Sequence, residues 1–289
     1  MLDKHFSSKI FIDGGVPEET AQAKRLLGFL DGQTTNPTLI AKNLLGKEQR
    51  TKNKEQKKIT QEDALNEYKR IVQEMNKIIP EGSISIQVFA NADTKAQDML
   101  SQGRLRYDWI PNHSIKFPCT TEGLKAVNVA CQETPVNITL VFSQSQAAAV
   151  YEATKGAKYP VFISPFVGRL DDLGQNGMQV VKNIKKMYEG GDGHVEVLTA
   201  SIRNLDHLMY ALQLKSDIVT VPFKVFNLWG EGGFPEPGAD YVYNKPELTE
   251  IPYREDILLG SAFTDYDLSH ELTAKGIQTF WDDWNKLFS

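Results

Sequence analysis

The chain has 289 residues, 41% hydrophobic and 24% charged, the balance of an ordinary globular protein. Its net charge of −5 argues against a nucleic-acid or anionic-membrane partner, and no apolar run approaches the roughly 18 residues of a membrane helix. The start, Met1-Leu2-Asp3-Lys4-His5, lacks the apolar core of a signal peptide, and two cysteines, Cys119 and Cys131, show no metal-ligand spacing. A reducing cytoplasm is the expected compartment, with no structural zinc and no metal.

Short apolar runs alternate with helix-like segments. Lys9 to Gly14 reads as the first strand, and Pro17-Glu18-Glu19 opens a helix, with proline at its start and acids where the dipole favours them. Gly32 to Asn36 is a second strand, and Pro37 begins a helix through Leu45. A charged insertion follows over residues 46–59, read as a solvated loop or helix extension because its basic residues alternate with Glu and Gln. Thr60 with Asp63 caps an amphipathic helix carrying Leu65, Tyr68, Ile71, Val72, Met75 and Ile79 on one face. Further strands are predicted at 83–90, 113–118, 136–141, 161–166, 196–201 and 217–222. Helices are predicted between them at 93–102, 121–132, 143–154, 172–188 and 205–214.

Eight strands in strict alternation with helices imply a parallel sheet, and eight units suggest a closed (β/α)8 TIM barrel spanning residues 1–225. The rival is an open doubly wound sheet. It would place a glycine-rich phosphate turn after the first strand, where Asp13-Gly14-Gly15-Val16-Pro17 does not fit. Strand parity supports the barrel. Ile115 and Phe117 share one face while Ser114 and Lys116 share the other; Val136, Ile138 and Leu140 oppose Asn137 and Thr139; Ile84, Ile86 and Val88 oppose Ser85 and Gln87. The same asymmetry recurs on strands one, six and seven. Polar groups gathering at the C-terminal ends of barrel strands describe a barrel active site. After Pro222 the alternation stops. Residues 226–289 are expected to form an extension ending in an amphipathic helix, with Ile277, Phe280, Trp281, Trp284, Leu287 and Phe288 on one face. That helix must pack on this barrel or on a neighbouring subunit in a homo-oligomer.

The inward polar set is Asp13, Asn36, Gln87, Lys116, Asn137, Thr139, Ser164, Arg169, Ser201 and Arg203. Taken alone, a lysine between Ile115 and Phe117 reads first as a side chain simply emerging at a strand end. Among neutral hydrogen-bonding groups it suits an amine kept unprotonated for attack on a carbonyl. Asp13 can move protons to and from a hydroxyl, while Arg169, Arg203, Ser164 and Ser201 can bind an anion, since arginine forks match phosphate oxygens. The structural alternative for Arg169 is a salt bridge to Asp171 or Asp172.

Six segments together resemble one family. They are Ile10-Phe11-Ile12-Asp13, Asp31-Gly32-Gln33-Thr34-Thr35-Asn36-Pro37-Thr38, Ile115-Lys116-Phe117-Pro118, Asn137 to Ser143, Ile163 to Arg169 and Ala200 to Asn204. In this order, on strands one, two, four, five, six and seven, they resemble the transaldolases, over about residues 8 to 225; the tail beyond Lys224 matches no motif. The resemblance implies transfer of a dihydroxyacetone unit from a ketose phosphate, sedoheptulose 7-phosphate or fructose 6-phosphate, to an aldose phosphate in the pentose phosphate pathway. It implies Lys116 as the Schiff-base lysine and Asp13 as acid/base. Asn36 and Asn137 would hold the dihydroxyacetone hydroxyls, Thr139 a catalytic water, and Ser201, Arg203 and Arg169 the phosphate. The partners are sugar phosphates, and no cofactor is required.

One position departs from the family. Many transaldolases carry a glutamate on strand three, where this chain has Gln87. The related fructose-6-phosphate aldolases share that glutamine but typically have a tyrosine where Phe166 stands. Transfer is the expected reaction, because Phe166 lacks the hydroxyl that would assist release of the dihydroxyacetone intermediate. Plain aldol cleavage and a non-catalytic sugar-phosphate-binding barrel are the alternatives.

Overall fold

The computed structural model describes residues 6–50 and 59–288. Its elements, in order, are β1 (Lys9–Asp13), α1 (Pro17–Leu27), β2 (Gly32–Thr34), α2 (Pro37–Arg50), α3 (Gln61–Ile78), β3 (Ser83–Gln87), α4 (Ala96–Arg104), β4 (His113–Pro118), α5 (Thr121–Ala130), β5 (Val136–Val141), α6 (Gln144–Ala153), β6 (Val161–Pro165), α7 (Val167–Asp171), α8 (Gly177–Tyr188), β7 (Val195–Thr199), α9 (Leu205–Gln213), β8 (Ile218–Pro222), α10 (Phe223–Glu231) and α11 (Glu271–Asn285). The eight strands pair in sequence order, all parallel, and β8 closes on β1 with Lys9 opposite Ile218 and Asp13 opposite Pro222. This is a (β/α)8 barrel, and the open-sheet alternative is excluded.

Parity decides what faces where. A Cβ added at Gly103 of α4 would meet Phe117 at 3.2 Å and Ile115 at 3.3 Å, so these two side chains pack on the helix layer. Alternation then turns Ser114 and Lys116 into the barrel. Each fully buried aliphatic between strands and helices, Ile10, Ile12, Ile84, Ile86, Val136 and Ile138 among them, contributes about 1.5–3 kcal/mol. The expected cap of α3 is present: Thr60 Oγ1 accepts from Asp63 N at 3.1 Å and Asp63 Oδ2 accepts from Thr60 N at 3.3 Å.

Several elements differ from the sequence reading. The helix expected over 172–188 begins late, as α8 at Gly177, behind a turn in which Gly174 takes a φ of +73°, and the short helix α7 before that turn was not expected. Strand β2 stops at Thr34 and β3 at Gln87, each earlier than expected. Strand β5 is not a regular alternation to its end. Its register with β6 slips between Ile138 and Val141, and Leu140 has a φ of +62°. This bulge takes Leu140 off the helix-layer face that Val136 and Ile138 occupy and sends it toward α11. The charged insertion begins as a continuation of α2, which runs to Arg50 rather than Leu45. Residues 51–58 and Met1 to His5 lie outside the described residues. An eighth barrel helix, α10, follows β8 and spans the position expected as the end of the barrel.

Beyond α10 the chain runs along the outside of its own barrel. Thr249 exchanges backbone hydrogen bonds with Gly174 and Asn176, both 2.8 Å, Asn183 Nδ2 donates to Ile251 O at 3.0 Å, and Gln144 pairs with the Arg254 backbone. It then returns as α11 across the C-terminal mouth. Ile277, Phe280, Trp284 and Leu287 are buried, and Trp284 stacks on Phe89 with centroids 4.1 Å apart. Thr273 Oγ1 donates to Leu140 O at 2.9 Å, and Thr38 Oγ1 donates to Asp283 Oδ2 at 2.6 Å. Of the two surfaces expected for this helix, it occupies its own barrel. Among the described residues no helix is long and apolar enough to cross a membrane.

Candidate active site

Lys116 is 2% exposed, mid-strand in β4. Its Nζ donates to the backbone carbonyl of Thr35 at 3.3 Å and lies 5.8 Å from the centre of the Phe166 ring. Burial lowers its pKa from 10.5 to about 8; Asp13 pulls it back up and Arg169 pushes it further down. A primary amine with that pKa is partly neutral near neutral pH, the form that attacks carbonyls.

Asp13, at the end of β1, faces the same space. Its carboxyl is raised above the ordinary carboxylate range by burial, offset in turn by Lys116, by the Thr34 hydroxyl and by Arg203. Thr34 Oγ1 donates to Asp13 Oδ1 at 2.6 Å, and since that uses its only proton, the Thr220 hydroxyl 2.7 Å away must donate to Thr34. Beneath Lys116 a string of neutral groups fills the barrel. Ser164 Oγ donates to Asn137 Oδ1 at 2.7 Å, Asn137 Nδ2 to Ser85 Oγ at 3.0 Å, and Ser85 meets Ser114 at 2.8 Å. Asn137 sits directly opposite Lys116 in the β4–β5 register and retains one amide hydrogen. Asn36 Oδ1 accepts from Leu39 N at 3.0 Å at the start of α2, which fixes its side chain beside Lys116's carbonyl partner, Thr35.

A cavity of about 250 Å³ opens above these groups, lined by Asp13, Asn36, Lys116, Arg169, Ser201 and Arg203, with Phe166 and Phe280 in its wall. Its cationic end is built where α7 nests against the β7 exit. Val167 N and Gly168 N donate to Ala200 O and Ser201 O at 3.1 and 3.0 Å. A Cβ at Gly168 would lie 2.4 Å from both Ser201 O and Arg203 Cγ, so only glycine allows this approach. Ser201 itself has a φ of +60°. Arg203 pairs with Asp172 at 3.0 Å, and its backbone N donates to His207 Nδ1 at 3.3 Å, while His207 Nε2 donates to Asp171 at 2.7 Å. Arg169 therefore has neither of the carboxylates considered for it. Its guanidinium lies 5.3 Å from both the Phe166 and Phe280 rings, and burial, then Arg203, lowers its pKa.

Four expected residues do not line that cavity: Asn137 and Ser164, in the string beneath Lys116, and Gln87 and Thr139. Gln87, opposite Lys116 in the β3–β4 register, lines a void of about 10 Å³ with Pro37, Phe89, Ile277, Phe280 and Trp281. Thr139 is fully buried on β5, opposite Pro118. Gln87 Oε1 and Thr139 Oγ1 are buried without a hydrogen-bond partner among the described residues, which suits them to holding a small polar molecule. Among the described residues no cluster of three or more His, Cys, Asp or Glu could hold a metal.

The family model for transaldolase/fructose-6-phosphate aldolase matches residues 10–289. The chain belongs to this family. Probable transaldolases from Thermoplasma volcanium and Coprothermobacter proteolyticus are 37% and 38% identical over 221 and 218 residues, covering 76% and 75% of this chain and 86% of each relative. A probable transaldolase from Lactiplantibacillus plantarum is 32% identical over 278 residues, 96% of both chains. The family match thus extends through the tail that carried no recognised motif. Its wall residue Phe280 and the proton donor Thr34 are site members that the sequence reading did not select. Thr34 lies inside the transaldolase-like segment Asp31 to Thr38, but β2, three residues long, is too short to show a period-two pattern. Phe280 was visible only as part of an apolar helix face.

Proposed function

We propose that this enzyme is a transaldolase acting through a Schiff base on Lys116. The observation that carries the reading is the meeting, in one cavity, of a buried amine at about 8, a buried carboxyl and two arginines. The Lys116 amine adds to the C2 carbonyl of a ketose phosphate, water leaves and an iminium forms. Asp13 takes the C4 hydroxyl proton, the C3–C4 bond breaks, and the aldose phosphate departs. The electron pair moves into the iminium, leaving a dihydroxyacetone enamine. Its carbon then attacks the aldehyde of an acceptor aldose phosphate, whose oxygen takes the proton from Asp13, and water releases the product ketose. The iminium is the electron sink, so the chemistry needs no cofactor.

Ser201, Arg203 and Arg169 bind the substrate phosphate; Ser201's backbone turn and the Asp172 contact on Arg203 set its position. Asn36 and Asn137 hold the dihydroxyacetone hydroxyls, with Ser164 orienting Asn137. Thr139 and Gln87 hold the water of the hydration steps. Phe166 presents no hydroxyl near Lys116, which slows protonation of the enamine and favours transfer. The pathway is the pentose phosphate pathway, in the cytoplasm.

Borohydride reduction with fructose 6-phosphate leaves a mass adduct on Lys116; absence of the adduct refutes the reading. Gln87 favours a second reaction, cleavage with release of free dihydroxyacetone, since the related fructose-6-phosphate aldolases share a glutamine at this position. Erythrose 4-phosphate separates the two: glyceraldehyde 3-phosphate formed at the same rate without this acceptor means cleavage.

A further inference from the structure

Strand β2 ends too soon, and the way it ends bears on Lys116. In the β2–β3 pairing Thr34 lies opposite Ser85, and Thr35 N donates to Ser85 O at 3.3 Å. The next bond of a parallel ladder in this register runs from Gln87 N to Thr35 O. Instead, Gln87 N donates to the Tyr68 hydroxyl at 3.1 Å. Tyr68 comes from α3, in the helix layer, and is fully buried. Having accepted from Gln87, its hydroxyl passes its own proton to Thr35 Oγ1 at 2.7 Å, which donates in turn to Ser85 O at 2.7 Å. Every donor in this chain has one assigned acceptor. The carbonyl left over is that of Thr35, and it accepts from Lys116 Nζ.

We propose that Tyr68 is a positioning residue for Lys116: its hydroxyl intercepts the Gln87 N–H and so reserves the Thr35 carbonyl for the lysine amine. The same contact fixes the backbone that carries Gln87. The ring is held for this task by packing edge-on to Trp109 with centroids 5.5 Å apart, and against Phe89 and Trp284. The proposal rests on the Schiff-base role of Lys116 and adds a residue from the outer layer to the machinery.

The test is Tyr68→Phe, which keeps the ring and removes the hydroxyl. With the intercept gone, the Gln87 N–H closes onto Thr35 O, and the amine loses its acceptor. The expected result is a fall of about tenfold in the rate of borohydride-trapped adduct with fructose 6-phosphate, the effect of one hydrogen bond. The pH midpoint of trapping also moves down, because a carbonyl acceptor favours the charged amine. Asp13 from β1, Arg169 from α7 and the Phe166 ring, the other groups facing Lys116, are unchanged, while Arg106 faces Tyr68 itself. Inhibition by inorganic phosphate stays at its wild-type constant, which separates lost positioning from a disturbed fold. A crystal structure of the variant shows the Gln87 N to Thr35 O bond. Thr35→Val, removing the hydroxyl that receives the Tyr68 proton, is the second variant, with the same direction expected should Tyr68→Phe not fold. Wild-type trapping rate and midpoint in a folded Tyr68→Phe protein overturn the proposal. No adduct in the wild type instead refutes the lysine chemistry, so the two failures are distinct.

Discussion

Replacing Lys116 by methionine should abolish activity and make the protein more stable. Burial holds the amine at about 8 instead of 10.5, so at pH 7 the folded chain carries a charge its surroundings disfavour. At about 1.36 kcal/mol for each pH unit, that costs about 3 kcal/mol. Lys116→Met removes the cost with a side chain of similar length. It also leaves the Thr35 carbonyl without its donor, worth about 1 kcal/mol, while the pull of Asp13 is already contained in the amine's value of about 8. The net gain is about 2 kcal/mol, or a melting temperature about 4–8 °C higher. The pH dependence fixes the sign independently. Between about 8 and 10.5 the unfolded wild-type chain binds a proton that the folded chain has released, so wild-type stability rises with pH through that window. The variant lacks the group, so its advantage disappears toward pH 10. Thermal melts of both proteins at pH 7, 8, 9 and 10 read this directly. A variant that melts below wild type at pH 7, or a gap that stays constant to pH 10, refutes the idea that Lys116 is held against its preferred charge.

Three further predictions follow the same logic. Gly168→Ala puts a methyl within 2.4 Å of the Ser201 carbonyl and Arg203; KM for the sugar phosphate should rise at least tenfold, with the trapping rate at saturation little changed, and an unaltered KM would show that the α7 nest does not position the anion site. Gln87→Glu adds a carboxylate opposite Lys116, so the midpoint of the adduct-forming pH profile should move upward; a downward move would show that burial of the new acid as a neutral group dominates. Gly276→Leu forces a side chain onto Leu140 and Arg169, both 2.6 Å from a Cβ there, and should lower the melting temperature and raise the inhibition constant for inorganic phosphate together; a change in stability alone would separate α11 from the anion site.

The barrel and the inward polar set were legible because period-two alternation is local: Ile115 and Phe117 name their face, and Lys116 must take the other. The capping box at Thr60 and the proline start of α1 at Pro17 were legible for the same reason. What stayed hidden depends on positions brought together across the fold. The bulge at Leu140 packs against Gly276, 136 residues later, a contact that no local pattern encodes. Tyr68 has the spacing of a core residue on an amphipathic helix, and it is one; that its hydroxyl ends in a gap of the β2–β3 ladder is a matter of three-dimensional register. The turn between α7 and α8 was signalled by Gly174, inside the span 172–188 expected as one helix. Arg203, not Arg169, takes the Asp172 carboxylate, because only the nesting of α7 on the β7 exit decides which guanidinium is nearer.

The position of α11 in the chain has a consequence for how the enzyme comes into being. All eight strands precede it, so a nascent chain can close β8 on β1 while the mouth of the barrel is still open. Until α11 emerges, Phe280 does not flank Arg169, Trp284 does not cover Phe89, and the apolar rim around Gln87 faces water. Synthesis can therefore pass through a finished barrel with an unfinished site. That interval is when a sticky rim is open to other nascent chains, and it ends only when a helix more than forty residues beyond the last strand folds back over it.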